Sequence, residues 1–296
     1  MTTRLRGVIA AAATPLNADF SIDTERLIEH CRALLSEGCD GINLLGTTGE
    51  ATSFSVEQRI AAMQAVARSG LPMSQFMVGT GAASLIDAVR LTREARDLDF
   101  SGELVLPPFY YKPIDNIGLL AYFDALINRV GADLRLYLYN FPQLSGVPYP
   151  LTFVQALKEK YPRQLLGLKD SSGDTSYSIA MAAGVADFDV FPSAEGTLND
   201  ADRYHWAGCI SATVNVTVRA AAAGWKARGT AEGERAVASA SAQRAILTRS
   251  PVIAAVKQAL AVKYQRPEWA RVVPPLHSLT SDQAAQQARD LASSGI

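Results

Sequence analysis

The order of apolar runs predicts an α/β chain of eight strand–helix units closed into a (β/α)8 TIM barrel with a C-terminal helical extension. Three observations carry that reading. Short apolar runs recur at 8–13, 41–45, 75–78, 103–106, 134–139, 165–169, 189–191 and 209–213. Longer stretches with apolar residues at i, i+3 and i+4 separate them. After about residue 214 the strand signal stops, and alanine-rich helical patterns follow near 216–228, 231–248, 251–264 and 280–293. Strand-then-helix repeats build parallel sheets with right-handed crossovers, and eight of them close naturally into a cylinder. A doubly wound open sheet is the main rival and would usually have fewer strands. The expected division is a barrel over 1–214 carrying the active site and a helical extension over 215–296, packed on it with no freeing linker.

Taken in order, the first run follows Arg4 and Arg6 and could pass for a short secretory leader. It is barely long enough and runs straight into Thr14-Pro15, so a first strand is preferred. Ile22, Leu27, Ile28, Leu34 and Leu35 then mark a helix over 22–35. The second run ends in Gly46-Thr47-Thr48-Gly49-Glu50, where glycines flank two hydroxyl residues. The third leads into Gly79-Thr80-Gly81-Ala82-Ala83, but Ser84 stands where a dinucleotide loop needs its third glycine. Val89, Leu91, Ala95 and Leu98 mark the next helix, over 87–98. The fourth run opens an aromatic loop, Leu106-Pro107-Pro108-Phe109-Tyr110-Tyr111-Lys112-Pro113.

Alternation then gives the fifth and sixth runs their meaning. Leu134, Leu136 and Leu138 cover the helix-facing side, leaving Tyr137 and Tyr139 inward. Lys169 shares its face with Gly167, while Leu168 and Asp170 point the other way. Tyr139 and Lys169 therefore sit at strand C-terminal ends, the face where barrel enzymes do their chemistry. Ser193, Glu195 and Asn215, after the last two strands, are candidates for substrate hydroxyl contacts.

Composition narrows the function. The 296 residues are 48% hydrophobic and 19% charged, with a net charge of −1 and no long run of one sign, so nucleic acid and anionic membranes are not expected partners. No stretch approaches the ~20 apolar residues of a membrane span. Cys31, Cys39 and Cys209 are too scattered for a disulfide framework, and a cytoplasmic location is expected. His30, His205 and His277 lack ligand spacing and no G-x-S-x-G occurs, so metal and serine-hydrolase chemistry fit poorly.

A buried lysine and a tyrosine at successive strand ends suit imine chemistry. An ordinary lysine, with a pKa near ~10.4, is a free amine to under ~1% at neutral pH, and apolar surroundings favour the nucleophilic form. Bond making beside an imine also needs a proton carrier, which a phenol can be. The Thr47-Thr48 turn offers backbone N–H groups and hydroxyls to a carboxylate.

Gly46-Thr47-Thr48-Gly49-Glu50, Tyr139-Asn140-Phe141-Pro142 and Gly167-Leu168-Lys169-Asp170-Ser171-Ser172-Gly173-Asp174 resemble the dihydrodipicolinate synthase/N-acetylneuraminate lyase family, nearly throughout the chain. The resemblance implies a pyruvate-dependent class I aldolase that needs no cofactor beyond a covalent imine on Lys169, with Tyr139 as proton shuttle. It implies that Gly46, Thr47 and Thr48 hold the pyruvate carboxylate and that Thr47 relays protons. Tyr110 would cross a dimer interface to complete that relay, and Ile210 would bring its backbone carbonyl near the imine. It also implies a homo-oligomer, a dimer or a homotetramer. Pyruvate or another 2-oxo acid and an aldehyde are the expected partners.

One departure matters. The lysine-biosynthetic synthase carries an arginine soon after its Tyr-Asn-x-Pro segment, and here Leu144 stands in that place. Leu144-Ser145-Gly146-Val147 looks more like sialate lyases, which usually have serine where Thr47 stands. The expectation is a lyase joining pyruvate to an aldehyde or releasing it from a 2-keto-3-deoxy acid. The synthase and a 2-keto-3-deoxy sugar acid dehydratase using the same imine are the alternatives. A non-catalytic sugar-acid-binding barrel is disfavoured, because every imine-forming part is present.

Overall fold

Parallel pairing of short buried strands organises the chain, seen in a computed structural model that describes residues 4–295. The barrel runs β1 (Gly7–Ala11), α1 (Thr24–Ser36), β2 (Gly41–Leu44), α2 (Val56–Ala67), β3 (Phe76–Gly79), α3 (Leu85–Asp97), β4 (Gly102–Val105) and α4 (Asn116–Val130). It continues through β5 (Leu136–Asn140), the single turn α5 (Pro142–Ser145), α6 (Leu151–Lys160), β6 (Leu165–Asp170), α7 (Thr175–Gly184), β7 (Asp189–Pro192), α8 (Ala201–Tyr204), β8 (Gly208–Ser211) and α9 (Val214–Lys226). Three more helices follow: α10 (Ala231–Leu247), α11 (Val252–Lys263) and α12 (Ser281–Ser293).

The strand order is β7-β6-β5-β4-β3-β2-β1-β8, and the Ala207 N–H donates to the Val190 carbonyl at 2.9 Å across the remaining seam. The architecture is therefore the TIM barrel with C-terminal helices that the alternation predicts. The eighth βα unit is completed by α9, packed on β1, which a division at residue 214 assigns to the tail.

Two apolar layers follow from the strand period. Ile9, Met77, Leu104, Tyr137, Phe191 and Ile210 fill the barrel interior. Leu136, Leu138, Leu168 and Val190 face the helices instead. Helix starts are set by side chains that satisfy otherwise unpaired N–H groups. Asp23 accepts from Arg26 N, Ser55 forms a capping box with Gln58, and Ser84 accepts from Asp87 N. Ser84, the residue that spoils the dinucleotide pattern, is thus the cap of α3.

Apolar runs and ladders differ at their ends for a physical reason. Ala12 and Ala13 are buried but lie beyond β1, and the Ala13 N–H is taken by the Asn215 side chain at 3.0 Å. Strand–strand hydrogen bonding reaches one residue further, through the Ala12 N–H to the Asn43 carbonyl at 3.0 Å, and burial carries the hydrophobic pattern past that point to Ala13.

The β5–β6 pair carries an irregularity that determines the site. Leu136 is paired with Leu165, but Tyr137 is paired with Gly167, so Leu166 is skipped. This bulge puts Tyr139 beside Lys169 in register. Gly167 is required there, since a Cβ would lie 2.3 Å from the Asp189 carbonyl oxygen and 2.7 Å from the Tyr137 ring.

His30 ties three parts of the chain together. Its Nε2 lies 2.7 Å from Asn215 Oδ1, an acceptor, so the ring donates there and accepts from the Tyr264 hydroxyl at Nδ1, 2.8 Å away. Burial pushes its pKa down to about 4 from 6.5. The unfolded chain therefore takes up this proton first on acidification. Stability falls as the pH drops from about 6.5 to about 4, by up to about 3 kcal/mol from this group. Melting temperatures measured across that window should show the loss, and His30→Gln should remove this part of the slope.

Candidate active site

At the C-terminal mouth of the barrel, β5 delivers Tyr139, β6 delivers Lys169 and the turn after β2 delivers Thr47. Lys169 and Tyr139 are buried, and the Lys169 Nζ lies 4.3 Å from the centre of the Tyr139 ring. The Tyr139 hydroxyl is 3.2 Å from Thr47 Oγ1. The amine, phenol and threonine hydroxyl of the sequence reading are thus brought together. Asp170, next to the lysine, points into the helix layer. Its carboxylate accepts from Asn140 Nδ2 (2.8 Å), Ser172 N (3.0 Å), Ser172 Oγ (3.0 Å) and Ser178 Oγ (2.6 Å). No ion pair forms between it and Lys169, and the amine is left facing the barrel.

The Gly46–Glu50 turn is shaped as a cradle. The Glu50 N–H donates to the Thr47 carbonyl at 3.0 Å and the Ala51 N–H to the Gly46 carbonyl at 3.2 Å. Among the described residues, the N–H groups of Thr47 and Thr48 donate to no backbone oxygen, which leaves them for a carboxylate. A small cavity beside this turn is lined by Gly46, Thr47, Ala51, Arg59, Gly79 and Tyr139, among others.

Other expected contacts separate into two groups. Ile210 is buried in the interior cluster with Tyr139 and Phe191. Ser193 lines a separate depression with Asp170, Ser178, Thr197 and Trp206. Tyr110 is 75% exposed and meets Tyr111 edge-on. Glu195 and Asn215 are corrections. The fully buried Glu195 carboxylate accepts from Ser211 (3.1 Å), Thr213 (2.6 Å), Thr217 (2.7 Å) and Arg244 (3.3 Å), so it braces β8 against α9 and α10. The Asn215 amide donates to the Ala11 and Ala212 carbonyls, and its oxygen accepts from Ala13 N and His30. Neither side chain has capacity left for a substrate hydroxyl.

Three polar residues were not singled out from sequence. Asn43 is fully buried on the inward face of β2 with its amide unpaired, and an asparagine inside Gly-Ile-Asn-Leu-Leu is the visible signal. Arg59 occupies the apolar stripe of α2 with Ala62, Met63 and Val66, where helical spacing calls for a hydrophobe. Glu50, the last residue of the turn, is paired with Lys257 of α11, both fully buried, and also accepts from Val273 N at 2.7 Å. Burial pushes the Lys257 pKa down while Glu50 opposes that shift.

Residues 4–293 match the Dihydrodipicolinate synthetase family. A DapA-like lyase of Chloroflexus aurantiacus is 37% identical over 219 residues, which cover 74% of this chain and 73% of that one. Dihydrodipicolinate synthase from Agrobacterium tumefaciens superposes with a TM-score of 0.90 at 28% identity, covering 98% of this chain and 99% of the other. YagE, a prophage protein of the dihydrodipicolinic acid synthase family from E. coli K12 solved in complex with pyruvate, shares the fold with a TM-score of 0.89 at 23% identity, over 99% of both chains. The fold, the site and these matches define an enzyme of the lyase class, of the class I aldolase type. The chain belongs to the dihydrodipicolinate synthetase family.

The Glu50–Lys257 pair generates a double-variant expectation. Lys257→Met strands a buried carboxylate and should destabilise the fold by about 3–5 kcal/mol in denaturant titrations. Adding Glu50→Gln should recover much of that loss, because no unpaired charge remains.

Proposed function

We propose that the protein reversibly joins pyruvate, or a closely similar 2-oxo acid, to an aldehyde through an imine on Lys169. The observation carrying this reading is the buried amine over the Tyr139 ring, with that phenol in hydrogen-bonding reach of Thr47. In the forward direction the Lys169 nitrogen attacks the keto carbon, and the carbinolamine loses water to give an iminium. Loss of a proton from C3 gives an enamine. Its carbon attacks the aldehyde carbon, the resulting alkoxide takes up a proton, and water hydrolyses the product iminium, freeing the keto acid and restoring the Lys169 amine. Tyr139, linked to Thr47, carries protons to and from oxygen, and the free N–H groups at Thr47 and Thr48 hold the carboxylate. The reverse sequence releases pyruvate from a 2-keto-3-deoxy acid.

The exposed Tyr110 supports an assembly of at least two copies, dimer or homotetramer, in which this ring reaches a neighbour's site. The same imine also serves a dehydratase, since enamine formation can equally expel a β-hydroxyl. Leu144, 62% exposed on α5, argues against the lysine-pathway synthase, since it offers no charge to an aldehyde's carboxylate.

Borohydride reduction with pyruvate, followed by peptide mass spectrometry, should place the adduct on Lys169, and Lys169→Arg should abolish it. Absence of an adduct in folded protein would favour a binding role instead. Tyr139→Phe should still trap the imine while turnover falls on the order of 10²–10³-fold. With pyruvate and aspartate semialdehyde, turnover should be weak, and Leu144→Arg should raise kcat/KM by about tenfold. Strong activity in the unaltered protein would identify the synthase.

A further inference from the structure

Arg59 presents a buried charge that the scheme above does not use. It is 4% exposed, and two of its nitrogens are spent on backbone: Nη1 donates to the Gly81 carbonyl at 3.1 Å and Nη2 to the Gly79 carbonyl at 2.8 Å. Its Nε is buried with no hydrogen-bond partner, and among the described residues Arg59 forms no ion pair with a carboxylate. The side chain helps wall the cavity that also contains Gly46, Thr47 and Tyr139. Burial lowers its pKa to about 10, with the charge of Asp87 acting the other way, so the guanidinium is still protonated at neutral pH.

The surroundings leave this charge uncompensated. Glu50, the carboxylate within the turn, is committed to Lys257 and Val273 N. The loop that Arg59 grips is itself pressed on the turn. A Cβ at Gly79 would lie 2.2 Å from the Leu45 carbonyl oxygen and 3.3 Å from the Gly46 Cα. Arg59 therefore both fixes the ground on which the Thr47 cradle rests and adds positive potential behind it. A carboxylate leaving water for this pocket would be drawn by that potential, whereas a neutral ketone would not.

We propose that Arg59 is a positioning residue that sets the enzyme's preference for an anionic 2-oxo acid over an uncharged 2-oxo compound. This inference rests on the imine reading for Lys169 and deepens it. It assigns selectivity for the substrate's charge to a side chain outside the amine, phenol and hydroxyl set.

The test compares pyruvate with its neutral methyl ester by borohydride trapping, titrating each ketone against the adduct on Lys169 in the unaltered protein, Arg59→Met and Arg59→Lys. Arg59→Met should raise the half-saturating pyruvate concentration by about tenfold and leave that for the ester nearly unmoved. Arg59→Lys, which keeps charge but loses part of the backbone grip, should restore most of the preference. Equal weakening for both ketones, no change for either, or loss of the preference in Arg59→Lys as complete as in Arg59→Met would overturn the proposal, because a role limited to propping the cradle does not depend on the charge at residue 59. Should Arg59→Met not fold, Arg59→Gln keeps a donor for Gly79 without charge and carries the same comparison. Failure of the unaltered protein to trap either ketone would defeat the imine reading and this inference together. Trapping with preference intact in the neutral variants would defeat this inference alone.

Discussion

The skipped residue between β5 and β6 is the constraint on which the rest depends. Side chains alternate strictly along a strand, so a one-residue change of phase reverses which face each occupies. With Leu166 bulged, Lys169 comes level with Tyr139 and faces the barrel, while Asp170 faces the helices. Without the skip, the lysine would meet the apolar layer of Leu168 and Val190, and a carboxylate would occupy the mouth. Gly167 and Tyr137 fit against one another below, so the phase is held by packing as well as by the ladder.

Around that core, the molecule keeps its carboxylates away from the amine. Asp170 is absorbed by Asn140, Ser172 and Ser178, Glu195 by three hydroxyls and Arg244, and Glu50 by Lys257. Each is buried, and each would be costly if unpaired. Collectively they leave a mouth whose free polar groups include an amine, hydroxyls and backbone N–H groups. Such groups can hold an anion and pass protons, and among the described residues no carboxylate forms an ion pair with the Lys169 amine.

Much of this was legible beforehand, for identifiable reasons. Eight apolar runs reveal eight strands because a strand covered on both sides must be apolar throughout. Alternation in Leu136–Asn140 and, beyond the bulge, in Gly167–Asp170 put Tyr139 and Lys169 on the inner face, since period-two patterns survive without coordinates. Glu195 and Asn215 misled because their position after a strand says nothing about which way the chain turns. Glu195 lies in a short 3-10 segment aimed at α10, and Asn215 begins a helix that recrosses β1. The pairing of Glu50 with Lys257 was invisible, as the partners are 207 residues apart and neither has a local signature.

That last pairing changes what the tail is for. The carboxylate that closes the Gly46–Glu50 turn is neutralised by a lysine from α11, and its second oxygen is held by the backbone at Val273. The terminal helices are consequently not an appendage that can be exchanged at will. Anyone recombining segments among relatives inherits a compatibility rule: a barrel bearing this glutamate must travel with a tail bearing this lysine, or the Gly46–Glu50 turn loses its footing.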